Sequence, residues 1–194
     1  MFLDPATPPP AECCPALVLL VSGGHSALVE MVSVGDYRIR GQTLDDAAGE
    51  CLDKGANLLG LGYPGGPVIE RAAQGGNPAF VKFPRGLEHA KNRTTDNGLD
   101  IELCLSFSGL KTSLLYHLKN HPGDREAHLA DLAASYQEAV MDSLATRAER
   151  ALRATCARTL ACVGGVAKNA VLRAKLEALT RRCGAQLRLT PLAY

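Results

Sequence analysis

The alternation of apolar and polar positions changes its period several times along this chain. An apolar run at 16–22, a second at 26–33 and an alternating segment at 37–43 each have the length and composition of a strand. Only Gly23-Gly24 and Gly35-Asp36 separate them, and short glycine turns of this kind join antiparallel neighbours. The pattern therefore predicts a three-stranded antiparallel meander.

A helical period replaces the alternation after the third strand. Apolar residues then recur every three or four positions, with Asp45 as the expected N-cap and Gly60 as the expected end of the helix. The stiff glycine–proline sequence at 63–67 predicts a loop, and 68–74 a short helix. The polar segment 75–100 is expected to be irregular.

Strands and helices alternate in the rest of the chain. The predicted elements are a strand at 103–107, helices at 108–118 and about 126–157, a strand at 159–163, a helix at 166–182 and a strand from 185 to 190. This order fits one α/β lobe of the actin/Hsp70-like (ASKHA, ribonuclease H-like) fold, although periodicity alone also allows other mixed α/β folds. We expect a proline-rich lead-in at 1–15 and a core at 16–194, incomplete at its C-terminus, with a mostly helical excursion at about 64–130.

Composition limits the class of protein only broadly. Hydrophobic residues make up 46% and charged residues 21% of the 194 positions, which is ordinary for a globular protein. The formal net charge is +1, but basic residues concentrate at 147–188, where the acidic residues are Glu149 and Glu177. This segment could present a basic face to nucleic acid, and solvated helix faces would give the same pattern.

Cysteine usage and hydropathy indicate the compartment. The seven cysteines form no Cys-x-x-Cys pair, and an odd count does not suit a closed disulfide framework. No apolar run approaches the roughly 18 residues needed to span a bilayer, and the start of the chain lacks the regions of a signal peptide. We therefore expect a cytoplasmic protein without membrane contact.

Two predicted strands end in a pair of glycines, Gly23-Gly24 and Gly164-Gly165. Because glycine has no Cβ, the backbone N–H groups there can approach a phosphate or carboxylate closely. The second pair also opens a helix, whose N-terminus favours anions. A single pair of glycines more often serves only a turn, but two such turns, each after a buried strand, favour a ligand site.

Two polar residues near these turns have more than one interpretation. The Asp53 carboxylate could accept both hydroxyls of a ribose, or it could be a solvated acid paired with a nearby lysine. Asn169 could contact a base or ribose, or it could be a polar residue of the first helical turn.

His117 and His121 have the i, i+4 spacing of a metal-binding pair. The helix that carries them is expected to fray directly afterwards, and no third ligand is evident near them in sequence. We therefore expect a chance surface pair.

Five ordered blocks of sequence resemble the successive signatures of one family, the tRNA N6-adenosine threonylcarbamoyltransferases, formerly called O-sialoglycoprotein endopeptidases. The blocks are LLVSGGHS at 19–26, DDAAGECLDK at 45–54, LGLGYPGGP at 59–67, LSFSGLKT at 105–112 and VGGVAKNAVLR at 163–173. They extend over nearly the whole chain in the family's order and spacing, which is far more specific than any single glycine motif.

The resemblance implies a two-lobed actin/Hsp70-like fold and an acyltransferase activity. The threonylcarbamoyl group of threonylcarbamoyl-adenylate would be transferred to N6 of the adenosine 3′ of the anticodon, in tRNAs that read codons starting with A. Several residues match the family's contacts to the adenylate by position. They are Leu20, Val21, Ser22, Gly23, Gly24, Asp53, Gly66 and Asn169.

The resemblance also implies one divalent metal ion, iron or zinc, and two partner subunits, a paralogous actin-like protein and a small ATPase. The family's metal ligands are a His-x-x-x-His stretch before the first block and an aspartate after the last. Residues 2–16 and 190–194 resemble the segments that adjoin those ligands, so the ligands are expected outside this chain. We expect a fragment cut off at both ends that binds no metal tightly and is inactive alone; no catalytic residue is assigned.

Two other interpretations stay open. A small-molecule kinase or ATPase of the same superfamily would have similar phosphate loops but would split ATP. A non-catalytic scaffold subunit of the same modification complex would keep the fold and lack the metal ligands. The well-formed blocks at 45–54 and 163–169 favour the catalytic branch, because a scaffold has no need to bind an adenylate.

Overall fold

A five-stranded mixed sheet with helices packed against it organises the part of the chain that the computed structural model describes, residues 13–87 and 93–189. The strands are β1 Ala16–Val21, β2 Ser26–Ser33, β3 Asp36–Gln42, β4 Thr159–Val163 and β5 Gln186–Leu189. The α-helices are α1 Ala48–Leu59, α2 Gly65–Ala72, α3 Ser108–Asn120, α4 Asp124–Ala127, α5 Leu129–Thr155 and α6 Ala170–Cys183, and short 3-10 helices lie at Ile101–Leu103 and Gly165–Lys168. Most of the predicted lead-in, residues 1–12, lies outside the described residues.

The strand order in the sheet is β3-β2-β1-β4-β5. Strand β2 pairs antiparallel with both β1 and β3, whereas β4 pairs parallel with both β1 and β5. A parallel connection needs a crossover, and the long segment between β3 and β4 supplies it with helices α1 to α5. Strands β1 and β4 therefore end side by side, with Leu20 opposite Val163.

The hydrophobic core lies between the sheet and the helices. Leu17 and Leu19 of β1 are fully buried and belong to the same cluster as Val140 and Leu144 of α5. At the other end of this cluster the buried Tyr136 hydroxyl of α5 donates a hydrogen bond of 3.0 Å to the backbone carbonyl of Cys51 in α1. Helix α5 thereby holds α1 over the end of the sheet.

The N-terminus of α1 is capped differently from the prediction, in which Asp45 was the N-cap. The N-cap residue is Ala47, whose side chain makes no capping bond. Instead, the buried Ser26 hydroxyl accepts a hydrogen bond of 2.9 Å from the Ala48 N–H. The predicted cap is wrong because the capping oxygen comes from β2, which a local sequence rule cannot detect.

The Asp45 carboxylate instead accepts hydrogen bonds at the start of α3. Its donors are the hydroxyls of Ser106 and Ser108, at 2.6 and 2.9 Å, and the N–H groups of Phe107 and Ser108, at 2.7 and 3.2 Å. Partial burial alone would raise the pKa of Asp45, but the bonds from Ser106, Phe107 and Ser108 outweigh it and lower that pKa below its usual value. Asp45 therefore joins the start of α1 to the start of α3.

Other element boundaries also differ. No strand forms at 103–107 within the described residues: Leu103 ends the 3-10 helix Ile101–Leu103, and Leu105 makes a single parallel bridge with Thr43. The helix predicted from 166 to 182 is interrupted at Asn169, whose extended backbone separates the second 3-10 helix from α6. The helix predicted for 68–74 begins earlier, at Gly65, and the one predicted for 126–157 is divided into α4 and α5.

Candidate functional site

Two glycine turns lie next to each other at the carboxyl ends of parallel strands β1 and β4. Gly23-Gly24 follows β1 and Gly164-Gly165 follows β4. Gly164 has a φ of +104°, and a Cβ there would collide with the Val21 backbone carbonyl, so only glycine lets the two strand ends come this close. In open α/β sheets ligands bind beyond the carboxyl ends of the strands, and the sequence pattern alone could not place the two turns together.

The first turn is held open by its own polar groups. The Ser22 N–H donates to the His25 carbonyl at 2.8 Å, and the His25 N–H donates to the Ser22 hydroxyl at 3.0 Å. Gly23 and Gly24 lie between them, with open space beside each, and their N–H groups have no acceptor within the described part of the chain. Two backbone donors at this turn are therefore left available to a ligand.

Helix α1 begins directly against this turn. The Gly49 N–H donates a hydrogen bond of 3.1 Å to the Ser22 carbonyl. A Cβ on Gly49 would lie 2.7 Å from the Cα of Gly23, closer than real Cβ contacts. Glycine at this position therefore allows the helix to pack onto the turn and form one wall of a cleft.

The cleft between the two turns has a volume of about 390 Å³. Its lining residues are Gly23, Gly49, Leu52, Asp53, Tyr63, Pro64, Gly66, Pro67, Glu70, Gly165, Val166, Lys168 and Asn169. Among the residues predicted for the site, the structure brings together Gly23, Asp53, Gly66 and Asn169. The other predicted residues lie beside this lining: Leu20 and Val21 in β1, and Ser22 and Gly24 in the turn.

Asp53 faces the cleft and also positions α2. Its Oδ1 accepts a hydrogen bond of 2.7 Å from the N–H of Gly65, the first residue of that helix. The neighbouring Lys54 pairs instead with Asp46 and Glu50, at 2.6 and 2.9 Å, and these bonds raise its pKa to about 12. The interpretation of Asp53 as an acid paired with that lysine is therefore wrong.

Asn169 is 5% exposed and serves as the N-cap of α6. Its Oδ1 accepts from the Leu172 N–H at 3.1 Å, and its Nδ2 donates to the Gln137 side chain at 2.8 Å. Glu70 completes the same helix start by accepting a bond of 2.7 Å from the Ala170 N–H. The polar groups of this wall are thus fixed by the fold before any ligand binds.

Three cleft residues with polar or charged side chains, Tyr63, Glu70 and Lys168, were not among the predicted site residues. Glu70 follows Gly66 by four positions on α2, so the two share a helix face, and that spacing could have identified it. Tyr63 is 82% exposed at the cleft, and Lys168 lies in the 3-10 helix after β4. Both lie within the sequence blocks at 59–67 and 163–173, but neither was assigned a role there.

The histidine pair on α3 differs from its prediction. His117 and His121 have a third potential ligand nearby in Asp124, and one ligand atom from each of the three lies within 4.8 Å of the others. The expectation that no third ligand is near is wrong, because the turn after α3 folds Asp124 back toward the pair.

The basic segment is partly neutralised within the fold. Arg153 and Arg182 both bind the Glu149 carboxylate, at 2.8 and 2.7 Å. Lys175 of the same segment binds Glu138 and Asp142. None of the helices that the structure describes is long and apolar enough to cross a membrane.

Fold and cleft together define an α/β protein with a ligand-binding cleft at the carboxyl ends of adjacent parallel strands. A crystal structure of HypF from T. kodakarensis has the same fold over 81% of this chain and 18% of its own, with a TM-score of 0.52 and 23% sequence identity. The chain belongs to the TsaD family, tRNA N6-adenosine threonylcarbamoyltransferase, whose model matches residues 3–194.

Relatives named tRNA N6-adenosine threonylcarbamoyltransferase support this assignment. The protein of Trichlorobacter lovleyi is 48% identical over 178 residues, and that of Anaeromyxobacter dehalogenans is 49% identical over 170 residues. The matches cover 91% and 88% of this chain, and 49% and 47% of the relatives. A relative in Paracidovorax citrulli is 45% identical over 173 residues. The chain thus spans about half the length of the curated relatives it matches.

Proposed function

We propose that this chain forms the adenylate-binding part of a transferase that modifies N6 of the adenosine 3′ of the tRNA anticodon, using threonylcarbamoyl-adenylate as donor. The observation that carries the proposal is the cleft between the two glycine turns, into which Gly23, Asp53, Gly66 and Asn169 converge. Membership of the transferase family gives the reaction. The finer fold that we propose for this chain is one actin/Hsp70-like lobe. The sheet supports it, because β1 pairs antiparallel with β2 on one side and parallel with β4 on the other.

The cleft offers a separate group for each part of an adenylate. The N–H groups of Gly23 and Gly24 are directed to the phosphate, because backbone donors without a protein acceptor bind anions. Asp53 Oδ1 is engaged by Gly65, which leaves Oδ2 to accept a ribose hydroxyl. Gly66 lacks a side chain where the nucleoside enters the cleft.

The transfer needs orientation more than a protein nucleophile. Adenosine N6 attacks the carbamoyl carbon of the mixed anhydride, forming a C–N bond while the C–O bond to phosphate breaks and AMP leaves. An N6 proton is released to solvent. Negative charge then gathers on the leaving phosphate, where the N–H groups of the glycine turn stabilise it.

The family's metal ion does not fit the residues that line this cleft. The cleft side chains that could bind a metal ion are Asp53, Glu70 and Asn169. Each already accepts a hydrogen bond from an N–H group at the start of a helix, and no histidine or cysteine lines the described cleft. No step of the reaction is therefore assigned to a metal on this chain. We propose that the metal ligands, a first lobe, an actin-like partner subunit and a small ATPase complete the cytoplasmic enzyme, and that these 194 residues alone are inactive.

The experiment is a pair of matched glycine substitutions. Gly66 and Gly109 are each the second residue of a helix, neither has a positive φ, and neither would place a Cβ in a clash. Gly66→Leu fills the cleft, whereas Gly109→Leu adds the same side chain to the exposed surface of α3. Binding of a non-hydrolysable threonylcarbamoyl-adenylate analogue, measured by calorimetry, is expected to weaken at least tenfold in Gly66→Leu and to stay unchanged in Gly109→Leu.

Two results would overturn the proposal. One is an unsubstituted chain that folds but does not bind the analogue. The other is a Gly66→Leu variant that binds as tightly as the unsubstituted chain. Tighter binding of ATP than of the analogue would instead favour the kinase interpretation. Thermal unfolding of each variant separates a blocked cleft from a misfolded chain, because leucine for glycine in a helix should not lower stability.

A further inference from the structure

Away from the cleft, three side chains that commonly bind metal ions converge where α3 ends. His117 lies in the last turn of α3, His121 is its C-cap, and Asp124 is the first residue of α4. Each offers one ligand atom, and the three atoms lie within 4.8 Å of one another. Within residues 13–87 and 93–189, no other group of three histidine, cysteine or acidic residues meets this condition.

The local backbone brings the three together. The His121 N–H donates to the His117 carbonyl at 2.9 Å, and the Asp124 N–H donates to the His121 carbonyl at 3.1 Å. This tight turn places Asp124 Oδ2 2.9 Å from His117 Nε2, while the two imidazole rings stack with centroids 4.5 Å apart. The arrangement depends on eight consecutive residues and not on distant packing.

The ring orientations suit metal ligation. His121 Nδ1 lies 3.1 Å from the His117 carbonyl oxygen, and since a carbonyl can only accept, Nδ1 carries the proton. Nε2 of His121 therefore holds the lone pair, and the bond to a carbonyl is what usually orients a ligating histidine. The edge of the His117 ring also contacts Phe80, at a centroid distance of 6.4 Å and an angle of 75°.

Distances and charge also fit a small divalent cation. Tetrahedral zinc ligands at about 2.0–2.2 Å from the metal are roughly 3.3–3.6 Å apart, so the 2.9 Å hydrogen bond between His117 Nε2 and Asp124 Oδ2 would open slightly to admit the ion. A cation here also lies at the carbonyl end of α3, where the helix dipole is favourable, and one carboxylate offsets half of its charge.

We propose that His117, His121 and Asp124 bind a zinc-class divalent metal ion that links the end of α3 to α4, with water in the fourth position. Two imidazoles and one carboxylate are ligands that suit this class of ion. The site is distinct from the adenylate cleft. It is also distinct from the family's metal, whose ligands are expected in other segments.

The test is titration of the chain with Zn²⁺ and Co²⁺ in variants that remove one ligand each. His121→Ala and Asp124→Asn are expected to weaken one equivalent of binding by at least about tenfold, because loss of even a residue that only orients a ligand costs roughly ten- to hundredfold. A Zn²⁺-dependent rise in melting temperature should be present in the unsubstituted chain and absent from both variants. The matched control is Asp96→Asn, which replaces an exposed carboxylate elsewhere and should bind Zn²⁺ as the unsubstituted chain does.

The seven cysteines offer another way to bind zinc. The Co²⁺ spectrum separates the two, because thiolate ligands give a ligand-to-metal charge-transfer band that imidazole and carboxylate do not. Binding that persists in His121→Ala and Asp124→Asn, or that shows the thiolate band, would overturn the proposal. So would a chain that shows no saturable Zn²⁺ binding while its melting temperature confirms that it is folded.

Discussion

Replacing Asp45 by alanine tests the junction between α1 and α3. The carboxylate accepts four hydrogen bonds from three consecutive residues, Ser106, Phe107 and Ser108. Alanine removes all four at once. Because Phe107 is fully buried at the start of α3, its N–H would lose its acceptor in a place that water reaches poorly.

The magnitude follows from these bonds. Loss of a side-chain cap costs about 1 kcal/mol, and a donor left without a partner costs about 1–3 kcal/mol more when it is buried. Since Asp45 is exposed as a residue, although its hydrogen-bonded carboxylate is partly desolvated, water can replace part of the loss. We expect a destabilisation of about 2 kcal/mol, or roughly 4–8 °C in melting temperature for a chain of this size.

The pH dependence has a defined sign. Because the pKa of Asp45 is lowered in the folded state by its hydrogen bonds, the charged form contributes stability above the unfolded value of about 3.9. That contribution is lost as the pH falls through the lower folded-state pKa. The difference between the unsubstituted chain and Asp45→Ala should therefore be constant near neutral pH and should shrink below about pH 4.

Urea unfolding at neutral and acidic pH measures both effects. Asp45→Asn keeps one acceptor and should lose less stability than Asp45→Ala, with no pH dependence of its own. Asp36→Ala is the control, because that exposed carboxylate has only a surface pair with Arg38, worth less than about 0.5 kcal/mol. An Asp45→Ala effect no larger than the control, or one of the same size at low pH, would refute the capping role.

Two further predictions concern the sheet and the thiols. Gly164→Ala should cost about 3 kcal/mol in urea unfolding, because alanine is strained at φ +104° and its Cβ would meet the Val21 carbonyl; a loss under about 1 kcal/mol would mean that the two strand ends separate easily. Burial raises the pKa of the Cys51 and Cys162 thiols to about 12, so a thiol reagent near neutral pH should label exposed Cys156 first and these two only on unfolding. Rapid labelling of Cys51 in the folded chain, seen by mass spectrometry, would contradict its burial.

Strands were predicted more accurately than caps and short helices. The apolar runs at 16–22, 26–33 and 159–163 predicted the ends of β1, β2 and β4 to within one residue, because a buried strand requires consecutive apolar positions. The start of α1 depends on Ser26, twenty-two positions earlier, and the segment around Leu105 pairs through a single bridge. Neither contact leaves a periodic pattern in the sequence. Ser26 is far from α1 along the chain, and the pairing at Leu105 involves a single bridge.

The site was predictable only as far as single residues carry a signal. Gly23 stood out as a turn glycine, Asp53 and Asn169 were candidates with more than one interpretation, and the family resemblance added Gly66. The fact that they line one cleft follows from the parallel pairing of β1 with β4, a long-range contact. The spacing from Gly66 could have placed Glu70 on the cleft face of α2, but its bond to the N-terminus of α6, one hundred positions further along, leaves no sequence signal.

The five sequence blocks meet at two places in the structure, the cleft and the junction between α1 and α3. Residues of the blocks at 19–26, 45–54, 59–67 and 163–173 line the cleft, but those of the block at 105–112 do not. That block is instead bound by Asp45, which begins the block at 45–54. Because α1 carries both Gly49 and Asp53, a weakened junction with α3 would move the cleft wall. Asp45→Ala should therefore also weaken binding of the adenylate analogue, although Asp45 does not line the cleft.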